Sequence, residues 1–258
     1  MATFYVVGTP IGNLEDITLR ALRVLGEVDL ILCEDTRVTR KLLTRHNITT
    51  KCESYHAHSD DSKIDSILEM LDGSGEAGTK NGISVPKNIA LVSDAGTPGI
   101  SDPGSHLVGQ IRSRFADEIA RGEIKIESVP GPSAVTTALS VAGIECGQFT
   151  FLGFLPHKKG RETLFKEIAV MTLEAKKTAG LSITARPAVF YESPHRIMKT
   201  LESLAEYLAL DQKIVIVREL TKIYEEVVRG TPAEVTVFFE KNVEKIRGEF
   251  VVIVEVFS

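Results

Sequence analysis

Short apolar runs of strand-forming residues recur along the chain, namely Phe4-Tyr5-Val6-Val7, Leu30-Ile31-Leu32-Cys33, Ile89-Ala90-Leu91-Val92 and Ile124-Lys125-Ile126. Between them, apolar positions return with the period of a helix. This alternation predicts βα units around a mainly parallel sheet, doubly wound in the first half of the chain. One expected helix carries Ile17, Ala21, Leu22 and Leu25 behind Asp16 as N-cap, and another carries Ile64, Ile67, Leu68 and Leu71 on one stripe. Asp102-Pro103 has the form of an N-cap followed by proline at the first helical position, leading into Leu107, Val108, Ile111 and Phe115. Residues 72–87 are rich in Gly, Ser and Lys and read as a surface loop.

Val129-Pro130-Gly131-Pro132 interrupts the pattern with two ring-locked residues around a glycine, so two α/β domains are expected, residues 1–128 and 129–258. Beyond the break, a helix from Ser133 to Ala142 stops at Gly143, a strand runs from Phe149 to Phe154, and a helix contains Leu164 and Ile168. Ala188 to Tyr191 reads as a strand, Ser193-Pro194 as the opening of a helix with Ile197, Leu201, Leu204 and Leu208, and Ile214–Val217 and Phe250–Phe257 as further strands. Thr231-Pro232 with Glu234 speaks for a helix start, whereas Val235, Val237, Phe238 and Phe239 speak for a strand; the helix is preferred.

Composition narrows the class. With 258 residues, 43% hydrophobic and 25% charged, the chain is an ordinary globular sequence. A formal net charge of -5 excludes a wholly basic nucleic-acid binder and leaves room for local basic patches. Cys33, Cys52 and Cys146 are odd in number and form no Cys-x-x-Cys pair, so neither a disulfide framework nor a zinc site is expected. Neither a signal peptide nor a membrane span is visible, which makes the cytoplasm the expected compartment.

Two glycine-rich turns follow strands, where α/β sheets bind ligands. Gly8-Thr9-Pro10-Ile11-Gly12-Asn13-Leu14 matches neither a Walker loop nor Gly-x-Gly-x-x-Gly, which removes the main support for kinase, GTPase and dinucleotide readings. The segment Ser93-Asp94-Ala95-Gly96-Thr97-Pro98-Gly99-Ile100-Ser101-Asp102-Pro103-Gly104 is denser in Gly, Pro, Asp and hydroxyl residues than an ordinary turn requires. Its glycines let backbone amides approach a ligand, its prolines stiffen it, and Asp94, Thr97 and Ser101 supply polar contacts.

Glu34, Asp35, Asp94 and Glu192 fall at expected strand ends, where a carboxylate suits proton abstraction; each equally suits a helix cap or an arginine partner. Arg37, Arg40, Lys41 and Arg45 form an acid-free run with helical spacing, and Lys158, Lys159 and Arg161 form a second basic cluster after Pro156. Arg196, beside His195, is a further candidate RNA contact. His56-x-His58 lacks a third ligand, so no metal site is expected.

Gly8–Leu14, Cys33-Glu34-Asp35-Thr36-Arg37, Ser93–Gly104, Pro130-Gly131-Pro132-Ser133-Ala134, Phe151-Leu152-Gly153-Phe154-Leu155-Pro156 and Tyr191-Glu192-Ser193-Pro194-His195-Arg196 together resemble the ribosomal RNA small subunit methyltransferase I family of the tetrapyrrole methylase superfamily. The resemblance implies two α/β domains with S-adenosylmethionine in the cleft between them, and 2′-O-methylation of a cytidine in the decoding region of 16S ribosomal RNA, free or in the 30S particle. It also implies a homodimer. Carried over by motif, the cofactor contacts are Pro10, Asp94, Gly96, Thr97, Pro98, Ile100, Ser101, Ser133, Ala134, Tyr191 and Glu192, with Leu220 and Glu249 on less distinctive segments. The alternatives are a small-molecule methyltransferase, for instance of a tetrapyrrole, and a non-catalytic nucleotide- or RNA-binding module.

Overall fold

In the computed structural model, residues 1–56, 61–74, 79–80, 83–84, 87–102, 104–173 and 185–257 are described. Met1–Ser133 and Ala134–Ser258 form two compact units. The first runs β1 (Ala2–Val7), a 3-10 turn (Leu14–Asp16), α1 (Leu19–Glu27), β2 (Leu30–Cys33), α2 (Thr36–Arg45), β3 (Cys52–Ser54) and α3 (Asp61–Asp72). It continues with β4 (Thr79–Lys80), β5 (Ile83–Ser84), β6 (Ile89–Val92), α4 (Gly104–Arg114), α5 (Ala116–Ala120) and β7 (Ile124–Val129).

Five of these strands form a sheet in the order β3-β2-β6-β1-β7, and every pairing is parallel. Alternate residues of a strand face opposite sides of its sheet. Accordingly Phe4, Leu30, Leu32, Ile89, Leu91 and Ile124 join α3 and α4 side chains in one core layer, while Val7, Ile31, Cys33, Ala90, Val92 and Val129 join those of α1 and α2 in another. The strand order contains a reversal: the chain leaves β1 past β6 toward β2, and leaves β6 past β1 toward β7. The connections after these two neighbouring strands lead to helices on opposite faces of the sheet, α1 on one and α4 on the other, and such a switch point is the usual ligand position in an open α/β sheet.

Some boundaries differ from the sequence expectation. The first helix starts at Leu19 because Thr18, whose hydroxyl accepts from the Ala21 amide at 3.1 Å, is its N-cap; Asp16 instead ends the preceding 3-10 turn. Val129 completes β7, and Gly131 packs against Gly8, so the Pro-Gly-Pro segment belongs to the first unit. Within the stretch expected as a loop, β4 and β5 pair antiparallel, and residues 75–78, 81–82 and 85–86 lie outside the described residues.

The second unit runs α6 (Ala134–Val141), β8 (Thr150–Phe154), α7 (Arg161–Thr172), β9 (Ala188–Glu192), α8 (Ile197–Tyr207), β10 (Ile214–Arg218), β11 (Glu226–Gly230), α9 (Pro232–Lys241), a 3-10 turn (Val243–Lys245) and β12 (Phe250–Val254). Its sheet has the order β11-β10-β12-β9-β8, with only β8 and β9 parallel. Phe165 and Ile168 of α7, Ile197, Leu201 and Leu204 of α8, and Val235 and Phe239 of α9 pack with Phe190, Ile214, Ile216 and Phe250 of the sheet. A capping box settles α9: Thr231 accepts from the Glu234 amide, Glu234 accepts from the Thr231 amide, and Pro232 fits the first turn. The α8 helix starts at Ile197, three residues beyond Pro194, after a turn closed by the Arg196 and Ile197 amides on the Ser193 carbonyl. Among the described residues, no helix is long and apolar enough to cross a membrane.

Candidate functional site

The loops after β1 and β6 meet at the strand-order reversal and are bonded to each other. The Thr9 amide donates to the Gly96 carbonyl at 2.9 Å and the Gly96 amide to the Thr9 carbonyl at 3.2 Å. The Thr9 hydroxyl lies 3.1 Å from the Ser93 carbonyl, and the Ser93 hydroxyl donates to the Gly96 carbonyl at 3.1 Å. Asp102 brackets the far end, its Oδ1 accepting from the amides of Gly99 at 3.0 Å and Gly104 at 2.7 Å. Pro103 lies outside the described residues.

Gly96 and Gly99 have φ of 86° and 84°, conformations glycine adopts at no steric cost. Ser101 has φ of 57°, a left-handed conformation in a residue with a side chain, of the kind that concentrates at ligand sites. A Cβ on Gly8 would lie 2.8 Å from the backbone of Gly131, so only glycine permits this approach of the two turns. Pro10, Gly96 and Pro98 are buried, Asp94 and Thr97 half-buried, and Ile100 and Ser101 exposed. The Thr97 hydroxyl donates to the Pro132 carbonyl at 3.4 Å. The loop is a rigid floor with an apolar and hydroxyl rim at Ile100 and Ser101.

The basic helix begins on this floor. Asp94 Oδ1 accepts the Asp35 amide at 3.0 Å, and Asp35 caps α2 by accepting the Arg37 amide at 2.8 Å. Arg37 also returns a forked ion pair to Asp35, with NH2 to Oδ2 at 2.6 Å. Hydrogen bonding from Arg37 holds the Asp35 carboxyl at a pKa of about 2. Glu34 is the opposite case: burial, and then the neighbouring Asp102 and Asp94, raise its pKa above the ordinary glutamate value. Arg37, Arg40, Lys41, Thr44 and Arg45 line one shallow depression of about 510 Å³ with Leu14.

Residues 3–236 match the family described as Tetrapyrrole (Corrin/Porphyrin) Methylases. Proteins named Ribosomal RNA small subunit methyltransferase I are similar over nearly the whole chain. The Thermotoga maritima protein is 42% identical over 98% of this chain and 98% of its own length. The one from Bacillus subtilis is 44% identical over 99% and 75% respectively, and the one from Vibrio cholerae 42% over 97% and 76%. This chain belongs to the ribosomal RNA small subunit methyltransferase I family. Solved structures agree on the tetrapyrrole methylase fold: the methyltransferase CobJ superposes with a TM-score of 0.64 at 17% identity, over 99% of this chain and 95% of that one. Uroporphyrin-III-C-methyltransferase from Thermus thermophilus gives 0.59 at 17% identity, over 98% and 94%.

Of the positions that the methyltransferase I resemblance marks in the second unit, Ala134 opens α6, next to half-buried Ser133 at the end of the first unit. Tyr191 packs its ring against Phe151 and Phe154, with centroids 5.0 and 5.2 Å away. Leu220 is buried between Glu219 and Thr221, both at positive φ, and exposed Glu249 pairs with Lys222 at 3.5 Å.

Glu192 is buried and already engaged. Its Oε1 lies 2.7 Å from Arg196 Nε and accepts the Ser193 amide at 2.8 Å; its Oε2 receives Arg161 NH2 at 3.2 Å and the Thr200 hydroxyl at 2.7 Å. Arg161 and Arg196, read from the sequence as phosphate contacts, therefore point inward, while Lys158 and Lys159 are exposed. Sequence reasoning missed Thr200, although a polar residue on the stripe of Ile197, Leu201 and Leu204 is a signal for a buried partner. No group of three or more His, Cys, Asp or Glu among the described residues is placed to hold a metal, and His58 lies outside them.

Proposed function

We propose that this chain uses S-adenosylmethionine to methylate the ribose 2′-hydroxyl of a cytidine in the decoding region of small-subunit ribosomal RNA, working in the cytoplasm as a homodimer. The observation that carries the reading is the hydrogen bond from the Asp35 amide to Asp94: one carboxylate of the ligand floor holds the first turn of the basic helix. Family membership supports methyl transfer, and the names of the relatives support an RNA acceptor. A tetrapyrrole acceptor, suggested by the fold neighbours, gives no reason for four cations lining one depression, whereas an RNA backbone does.

The floor suits the cofactor. Its backbone is kept close and free of side chains by Gly8, Gly96 and Gly131, and half-buried Asp94 offers an acceptor for hydroxyl or ammonium groups. S-adenosylmethionine supplies an electrophilic methyl group when bound. Pro10, Asp94, Thr97, Pro98, Ile100 and Ser101 are the proposed contacts from this unit. Glu34 is the proposed base for the ribose hydroxyl proton, because Arg37 occupies Asp35 and two guanidinium groups occupy Glu192. Positioning on a rigid floor and removal of that proton are the protein's share of the chemistry.

The test is incubation with methyl-labelled S-adenosylmethionine and small-subunit particles from cells lacking the enzyme, followed by mapping of the labelled nucleotide. Label on a cytidine ribose is expected. Label on a base or on a tetrapyrrole, or cofactor binding without turnover, sinks the reading. Sedimentation at working concentration tests the homodimer, and a monomer-sized particle overturns that part alone.

A further inference from the structure

The buried cluster of Arg161, Glu192, Arg196 and Thr200 holds more than itself. Arg161 opens α7 and Arg196 precedes α8, so both belong to chain connections that follow strands of one sheet. Beyond its contacts with Glu192 and Thr200, Arg161 sends NH1 to the Pro156 carbonyl at 3.1 Å. Arg196 sends NH1 to the Leu155 carbonyl at 2.9 Å. One carboxylate with a fully buried side chain thus gathers two guanidinium groups, and these grip two successive carbonyls at the start of the connection 155–160. That connection carries His157, Lys158 and Lys159, all exposed, and closes on Gly160 at φ of 82°.

Burying one carboxylate with two guanidinium groups is a poor way to gain stability, since apolar residues of similar volume often do as well; its attested use is to specify one arrangement. Here the arrangement specified is the course of the backbone under the two lysines. The cluster also carries one more positive charge than negative, which adds to the field an approaching anion meets.

We propose that Glu192 is a positioning residue for the RNA substrate: acting through Arg161 and Arg196, it holds residues 155–160 as a preformed loop that presents Lys158 and Lys159 to backbone phosphates. This rests on the ribosomal RNA reading above.

The experiment compares wild type, Glu192→Gln, Lys158→Ala with Lys159→Ala, and all three substitutions together. Each is measured for KM and kcat on small-subunit particles, for the salt dependence of RNA binding, for thermal stability, and for hydrogen exchange of the 157–160 amides. Glu192→Gln is expected to raise KM for RNA about tenfold, the loss of roughly one good contact. Its 157–160 amides should exchange faster than those of the wild type. Adding Glu192→Gln to the double lysine variant is expected to raise KM little further, because both changes remove one interaction. Full additivity, or a lowered Tm with unchanged KM in the folded fraction, overturns the proposal. Where Glu192→Gln does not fold, Thr200→Val, which loses one hydroxyl and keeps its shape, takes its place under the same criteria. Wild type that binds no small-subunit RNA sinks the substrate reading instead; unchanged amide exchange in the variant overturns the clamp by itself.

Discussion

Glu34 and Asp35 are neighbours in the chain with opposite electrostatic surroundings. Arg37 stabilises the Asp35 carboxylate, while burial with Asp102 and Asp94 nearby destabilises that of Glu34. Because the folded pKa of Glu34 is raised, its ionisation costs stability above the ordinary glutamate range. Glu34→Gln is thus expected to raise Tm at neutral pH while lowering kcat by about a hundredfold or more, the usual share of a general base. The acidic limb of kcat/KM in wild type should sit at higher pH than an ordinary glutamate gives, and vanish in the variant; a variant with wild-type turnover excludes Glu34 as base. For Asp35 the sign is reversed. Its folded pKa of about 2 lies below the ordinary 3.8, so its pairing contributes stability above pH 3.8 and loses it as the pH falls toward 2. The stability difference between wild type and Asp35→Asn should close over that window in acid titrations. Sequence alone could not rank these carboxylates, because a candidate base, a cap and an ion-pair partner use the same side chain.

At the scale of elements, the apolar periods located most of the strands and helices. Asp16 was the expected N-cap, but the chain first makes a 3-10 turn through it and Thr18 caps the helix instead. The β11 strand, whose Glu226, Val228 and Gly230 are half-buried or buried and whose Val227 and Arg229 are exposed, offered too weak an alternation to stand out. The α9 helix was legible from its cap alone, and Thr231→Ala is expected to cost about 1 kcal/mol in denaturant unfolding. The loop proposed as the ligand floor stood out by its composition, but its sequence carried no sign of the contact of Gly8 with Gly131, which joins segments far apart in the chain. Gly8→Ala forces backbone to shift, so a loss of about 1–3 kcal/mol together with weaker cofactor binding by calorimetry is expected. Gly26→Ala, where nothing lies within 4 Å of the added carbon in α1, should instead stabilise by about 0.5–1 kcal/mol.

For the whole molecule, a net charge of -5 coexists with a concentrated cationic depression, and the two have different consequences for RNA. Overall repulsion disfavours indiscriminate binding, while the local cluster neutralises a few phosphates at a fixed place. Arg40→Ala with Lys41→Ala is expected to flatten the slope of log affinity against log salt by about 1.4–1.8 and to leave cofactor affinity unchanged. An unchanged slope would remove the α2 helix from the RNA surface. These cations were visible in the sequence, whereas the inward turn of Arg161 and Arg196 was not, since spacing carries no information on which way a long side chain points.

The reciprocal bonds between Thr9 and Gly96 have a kinetic consequence. Two loops already tied to each other have little freedom to surrender when a ligand arrives. Cofactor capture by this floor should therefore be a single encounter, its observed rate rising in proportion to cofactor concentration in stopped-flow, with no plateau from a preceding rearrangement of the protein.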